Sequence, residues 1–368
     1  MELRVYLLFL FILCLSSLTS TTESKCAKRP IIFNFGDSNS DTGGFTAGRG
    51  IQIGPPYGRL FFRRPSSGRF CDGRLIIDFL CQSINARFLS PYMESLGADF
   101  TNGANFAVSG SATLPKTLPF PLSVQVLQFL HFKNRSLELI SMGSKNLITI
   151  DEYKSALYMI DIGQNDLDLA FSNNLSYAQI MTETIPPALE EIKVAIKTLY
   201  EDGGRNFWVH NTGPIGCLPQ KLALYKRPNS AVDRLGCLQF FNDAARAFNN
   251  GLRSLCDKLR SDLKSAIIVH VDVFTIKYDL FSNPAKYGFE NLFMTCCGSG
   301  DPPYNYNRNA TCGRPAHQVC PMGSRYISWD SLHYAEAPNQ IVSSKILSNH
   351  YSTPNIQFDF FFHNSCII

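Results

Sequence analysis

The chain has 368 residues, 45% of them hydrophobic and 17% charged, with a formal net charge of +4 at pH 7. The small positive balance is spread over many sites with no run of Lys or Arg, so no nucleic-acid partner is implied. The length exceeds that of most single domains, yet no low-complexity linker or internal repeat divides it.

In chain order, Arg4 and the unbroken apolar stretch from Val5 to Leu15, followed by Ser and Thr residues, read as a secretory signal peptide over residues 1–24. Its apolar core is too short to span a bilayer, and no later segment approaches the ~20 apolar residues that a spanning helix needs. Residues 25–368 are then expected to form one domain, soluble and exported to an extracellular or cell-wall location. Cysteine usage agrees with an oxidising compartment. Once Cys14 leaves with the leader, Cys26, Cys71, Cys81, Cys217, Cys237, Cys256, Cys296, Cys297, Cys312, Cys320 and Cys366 remain, an odd number that leaves at least one thiol free or paired outside the chain. Asn134-Arg135-Ser136, Asn174-Leu175-Ser176 and Asn309-Ala310-Thr311 are glycosylation sequons, placing Asn134, Asn174 and Asn309 on the surface.

The first predicted strand is Pro30 to Phe35, apolar on both faces, and Ser38 lies in the tight turn that follows it. A helix is predicted over Leu75 to Ile84. The segment Gly103 to Gly110 is an apolar run ending in a Ser-Gly turn. Ser123 to Phe132 reads as a helix, Ala156 to Ile162 as a buried strand ending in Gly163-Gln164-Asn165-Asp166, and Ala178 to Tyr200 as a helix that Pro186-Pro187 either kinks or starts. Asn206 to His210 is a third strand. From Leu238 to Leu263, Phe241, Phe248, Leu252, Leu255, Leu259 and Leu263 recur at steps of three, four or seven, the core stripe of a long helix. Ala266 to Val271 is the fourth strand. Cys296 to Met322, rich in Gly, Pro, Asn and Tyr, reads as a disulfide-tied loop, and the phenylalanine-rich tail from Tyr351 to Ile368 as an edge strand. Short apolar strands alternating with helices argue for an α/β chain, an open, doubly wound α/β/α structure with a mainly parallel sheet. Ligands bind such sheets at the carboxyl ends of the strands, which is where Ser38 lies.

Near the C-terminus Trp329-Asp330-Ser331-Leu332-His333-Tyr334 places a carboxylate three residues before an imidazole. A serine needs a base to become a nucleophile at neutral pH, and the base needs an orienting acceptor; Ser38, His333 and Asp330 supply these roles. Donors for an oxyanion are available from the Ser38 N–H, the Gly110 N–H and the Asn165 side-chain amide. Competing readings of the same residues are plainer: Ser38 as a helix N-cap, Asp330 as a cap of the last helix, His333 as a structural histidine, and Asp37 and Asp41 as turn residues. Cys296, Cys297, Cys312, Cys320 and His317 lack the paired Cys-x-x-Cys spacing of a zinc site, and the glycines at 43, 44, 48, 50 and 54 lack the helix-opening context of a nucleotide loop, so neither metal nor cofactor is expected.

Gly36-Asp37-Ser38 with Asp41 and Gly43, the later Gly110, Gly163-Gln164-Asn165-Asp166 and the terminal Asp330-x-x-His333 resemble the four ordered blocks of the GDSL esterase/lipase group, the SGNH hydrolases, across essentially the whole mature chain. Asn211 to Pro219 and the Cys296-Cys297-Gly298 segment with Tyr304 to Asn307 resemble its secreted plant branch. The resemblance implies a flavodoxin-like fold and a carboxylester hydrolase working through an acyl-enzyme on Ser38, with His333 as base, Asp330 as its partner, and Gly110 and Asn165 as oxyanion donors. The substrate is then a small-molecule or polysaccharide ester. Asn39, Gly44, Ala335 and Pro338 depart from the usual pattern without removing a reacting group. Two alternatives stand beside this reading. One is an α-L-fucosidase-type glycosidase, which needs two carboxyl groups ~5 to 9.5 Å apart and would draw on Asp37, Asp161, Asp166 or Asp330. The other is a non-catalytic binding glycoprotein. For the disulfides, Cys217 is expected to pair with Cys237, and Cys296 and Cys297 with partners in the 312–320 segment.

Overall fold

Each central strand is a short run with both faces buried, which is why it reads as apolar throughout: β1 (Ile32–Gly36), β3 (Leu157–Asp161), β4 (Asn206–His210) and β5 (Ile267–Val271). The computed structural model describes residues 29–61 and 67–362. The leader, Cys26, Cys366 and the end of the tail lie outside the described residues. Pro30–Phe361 form one compact unit, and Arg29 and Phe362 are the described members of a second.

A further strand, β2 (Gly103–Asn105), lies where the sequence suggested only an apolar run and a turn. The edge strand β6 (Ser352–Thr353) accounts for the start of the tail, and Phe358–Phe362 form a 3-10 turn where strand was expected. The sheet order is β2-β1-β3-β4-β5-β6; the first five strands are parallel and β6 is antiparallel. This is the 2-1-3-4-5 order of a doubly wound flavodoxin-like sheet, whose switch point lies between β1 and β3. The register pairs Gly36 with Asp161, Asp161 with His210 and His210 with Val271. All four strands therefore end at one rim.

The helices that matter for the site are α1 (Ile76–Ser83), α2 (Leu122–Ser141), α3 (Gln164–Ser172), α4 (Ile185–Glu201), α5 (Gln239–Asp262), α6 (Val273–Ser282) and α7 (Glu336–Leu347). Helices α2 to α5 pack among themselves, and α1 and α6 pack on α7. Pro186 and Pro187 occupy the first turn of α4, at its junction with a π-turn over Ile180–Thr184. Along α5 the expected stripe is buried at Phe241, Phe248, Leu252 and Leu259, with Leu255 half-buried. On one face of the sheet Phe33 stacks on Tyr153 at 5.4 Å and meets Phe129 edge-on at 4.9 Å; on the other, Trp208 meets Phe358 and Phe361. Each such buried ring contributes about 2–3 kcal/mol over an exposed one.

Among the described residues three disulfides are formed: Cys217–Cys237, Cys296–Cys320 and Cys297–Cys312. The last two tie the Cys296 to Met322 segment, which also contains a two-residue antiparallel ladder between Cys297–Gly298 and Gln318–Val319. Cys71, Cys81 and Cys256 are buried free thiols. Among the described residues no helix is long and apolar enough to cross a membrane.

Candidate active site

Strand β1 ends at Gly36, and the chain turns at once. The Asp37 carbonyl accepts from Ser40 N–H at 3.1 Å, while its carboxylate Oδ1 accepts from the Asn39 N–H at 2.8 Å and the Asn39 side-chain amide at 2.9 Å. Asp37 thus closes the turn that presents Ser38, and Asn39 pins it. Asn105, the last residue of β2, donates to the Ser40 carbonyl at 2.7 Å and to Thr42 Oγ1 at 2.9 Å, fixing the turn from the neighbouring strand. Asp41 accepts from four backbone N–H groups, those of Gly43, Gly44, Phe45 and Ser109, and so joins the first block to the residue before Gly110.

Gly110 has a φ of +80°, a left-handed conformation that glycine adopts without penalty. The next residue, Ser111, offers its carbonyl to the Asn165 side-chain amide at 2.8 Å. A primary amide has two N–H groups, so one remains for a ligand. Asn165 is in the first turn of α3, whose N-cap Gly163 has a φ of +127°. Its neighbour Asp166 accepts from the Thr113 N–H and hydroxyl and from the Leu114 N–H, closing the same loop against the sheet rim.

The histidine comes from the far end of the chain. His333 Nε2 lies 2.7 Å from Ser38 Oγ, across 295 positions of sequence. His333 Nδ1 lies 2.9 and 2.7 Å from the two Asp330 oxygens. A carboxylate only accepts, so Nδ1 carries the proton and Nε2 is left to accept from the serine hydroxyl. The Asp330–His333 turn is held internally: Asp330 Oδ1 also accepts the His333 N–H at 2.9 Å, the Trp329 N–H donates to the His333 carbonyl at 2.7 Å, and Ser331 sits at a φ of +83°. Asp330 is not the cap of α7. Ala335 holds that position, and the Glu336 N–H is taken by Asp72.

Two groups lay beyond sequence reasoning. The Tyr57 hydroxyl donates to Asp330 Oδ2 at 2.9 Å, and the Phe70 ring lies 5.2 Å from the imidazole. Nothing in the sequence links Tyr57 to Asp330, 273 positions away. Burial opposes the charge on Asp330, but the imidazole beside it, the His333 N–H groups and the Tyr57 hydroxyl together hold its carboxyl below the usual range. Asp37 behaves oppositely: burial, and then the nearby Asp161 carboxylate, push it up to about 7 against the Asn39 hydrogen bonds. Asp161 is held low despite its own burial by His210 and Lys277. These two acids underlie the turn that carries Ser38, and Asp37 is 1% exposed.

Comparison with known proteins places the chain in a family. The family model described as GDSL-like lipase/acylhydrolase matches residues 32–346. A GDSL esterase/lipase of Arabidopsis thaliana is 55% identical over 342 residues, covering 92% of this chain and 91% of the relative, and another from the same plant is 51% identical over 357 residues, covering 96% and 97%. A third Arabidopsis relative, named alpha-L-fucosidase 3, is 41% identical over 352 residues, covering 90% and 94%.

Proposed function

The chain belongs to the GDSL-like lipase/acylhydrolase family and is a carboxylic ester hydrolase of that type, and from that premise we propose that Ser38 is its nucleophile, His333 its general base and acid, and Asp330 the partner that orients the imidazole. The observation that carries this is the unbroken hydrogen-bonded line from Ser38 Oγ through His333 to Asp330. Ser38 Oγ attacks the acyl carbon while its proton passes to Nε2. The resulting oxyanion is met by the N–H groups of Ser38 and Gly110 and by the free N–H of the Asn165 amide, each worth about 3 kcal/mol at the transition state. The alcohol then leaves with the proton from Nε2, and water, deprotonated by the same nitrogen, releases the acid from the acyl-enzyme. The Asp37 and Asp161 carboxyls serve no glycosidase in this scheme; that alternative leaves Ser38, Asn165 and His333 idle.

The substrate is a small-molecule or polysaccharide ester. The leader over residues 1–24, the single domain over 25–368, extracellular or cell-wall location and glycosylation at Asn134, Asn174 and Asn309 complete the reading, supported by three disulfides and by exposure of all three sequon asparagines. Fluorophosphonate should label the wild type and spare Ser38→Ala, and hydrolysis of p-nitrophenyl esters from acetate to palmitate should fall in that variant by roughly 10³-fold or more with the fold intact. Turnover by Ser38→Ala within tenfold of wild type would sink the assignment.

A further inference from the structure

Asn174 stands directly after α3, in a turn where its φ is +55° and its side chain is exposed. It lines a cavity of about 360 Å³ whose other walls include Phe171, Tyr225, Leu238, Phe240 and Phe241. Neither Asn134 nor Asn309 lines it. The rings form one cluster: Phe171 lies 4.1 Å from Phe241 and 5.6 Å from Phe240, Tyr225 lies 5.1 Å from Phe241, and Tyr177 lies 6.0 Å from Phe240. At its outer edge Phe240 is 37% and Tyr177 41% exposed, an aromatic surface that water covers at a cost. The sequon asparagine and this aromatic seat therefore share one concavity.

We infer that the glycan carried by Asn174 folds back into this cavity, its first N-acetylglucosamine lying on the face of Phe240. The inference rests on the proposal that the chain is exported and glycosylated. In the linking step the Asn174 side-chain nitrogen bonds to C1 of the sugar, the bond from C1 to the lipid diphosphate of the donor breaks, the diphosphate leaves with the electron pair, and the amide nitrogen loses one proton. A pyranose presents a C–H face, which suits the electron-rich face of an aromatic ring, while its hydroxyl edge stays in water. The acetyl methyl fills apolar space toward Leu238, and the sugar removes the exposed ring surface from solvent. The seat braces the C-terminal end of α3, the helix whose first turn holds Asn165.

The test uses the full chain secreted from a eukaryotic host, with occupancy read by mass spectrometry of the sequon peptides. Asn174→Gln should lower Tm by about 2 °C or more, whereas Asn309→Gln should leave it unchanged. In a Phe240→Ala background, a change at an exposed site that the fold tolerates, Asn174→Gln should produce no further loss, because the seat is already gone. Turnover of p-nitrophenyl acetate should stay within twofold throughout. An occupied Asn174 whose removal leaves Tm unchanged, or lowers it equally with and without Phe240, overturns the seat. Occupancy at Asn134 and Asn309 with none at Asn174 overturns it too, while leaving the secretory reading standing; no glycan at any of the three overturns both.

Discussion

At the scale of single residues, the charge on Asp330 is shared between the imidazole it orients and the Tyr57 hydroxyl, and two variants should pull it in opposite directions. Asp330→Asn removes the anion that favours the imidazolium, so the acid limb of kcat/KM should move to lower pH while the rate falls by roughly 10³–10⁴-fold. Tyr57→Phe removes a competing donor and leaves more of the charge on the imidazole, so the acid limb should move to higher pH with a several-fold loss of kcat and little change in KM. A Tyr57→Phe profile displaced downward, or coincident with wild type, would show that the hydroxyl is only packed there. Asp37 bears on stability. Burial and the Asp161 carboxylate keep it protonated up to about 7, against a usual value of 3.8. Between about pH 4 and 7 the folded chain holds a proton that the unfolded chain has lost, so this residue makes stability fall as pH rises through that window. Asp37→Asn keeps the acceptor for Asn39 but carries no charge. Its Tm relative to wild type, measured by calorimetry, should therefore rise from about pH 4 to about pH 8; a constant difference would contradict the protonated state.

At the scale of elements, the turn into α3 sets where Asn165 stands. Gly163 has a φ of +127°, and a Cβ there would lie 2.5 Å from the Phe248 ring on α5. Gly163→Ala should therefore cost about 2–4 kcal/mol and displace the Asn165 amide. Gly110→Ala meets no atom within 4 Å and bears only its φ of +80°, a cost of about 1–2 kcal/mol. Thermal melts should rank the two in that order, and the reverse order would show that Phe248 gives way. Legibility in the sequence divides along similar physical lines. β1, β3, β4 and β5 announce themselves because strands covered on both faces must be apolar throughout, and α5 because its buried side is a regular stripe. β2 is three residues, Gly-Ala-Asn, whose burial comes from neighbours and not from its own hydrophobicity. The expected end of α2 at Phe132 falls short of Ser141 because Lys133 looks like a surface residue; in the fold it is buried and paired with Asp202. α3 and α6 begin within two residues of a strand end, after Ile162-Gly163 and after Asp272, so no turn sets their pattern apart from the strand's. The residues proposed for the triad and the oxyanion hole stand in local blocks with their own turn chemistry, so they are readable. Tyr57 and Asn105 act through hydrogen bonds, and Phe70 through a ring contact, to residues distant in sequence, and no local pattern marks them.

At the scale of the whole molecule, the segment bearing Asp330 and His333 is not part of the sheet and is held from outside it. Cys296 N–H donates to the Ser328 carbonyl at 3.0 Å and Cys297 N–H to the Trp329 carbonyl at 2.7 Å, and both cysteines are anchored by disulfides. Closing loops of 24 and 15 residues stabilises by about 3 kcal/mol each. Cys296→Ala with Cys320→Ala should thus lose esterase activity at a lower denaturant concentration than it loses far-UV circular dichroism; coincident transitions would show that the tie does not serve the site in particular. The wide separation of Ser38 and His333 has a consequence for the newborn chain. A ribosome working at ~5–20 residues per second needs roughly 15–60 s to cross the 295 positions between them. For that interval the proposed nucleophile has emerged without its proposed base, and a chain stalled there should take no fluorophosphonate. On the proposed roles, the order of translation delays assembly of the site until the segment bearing His333 arrives.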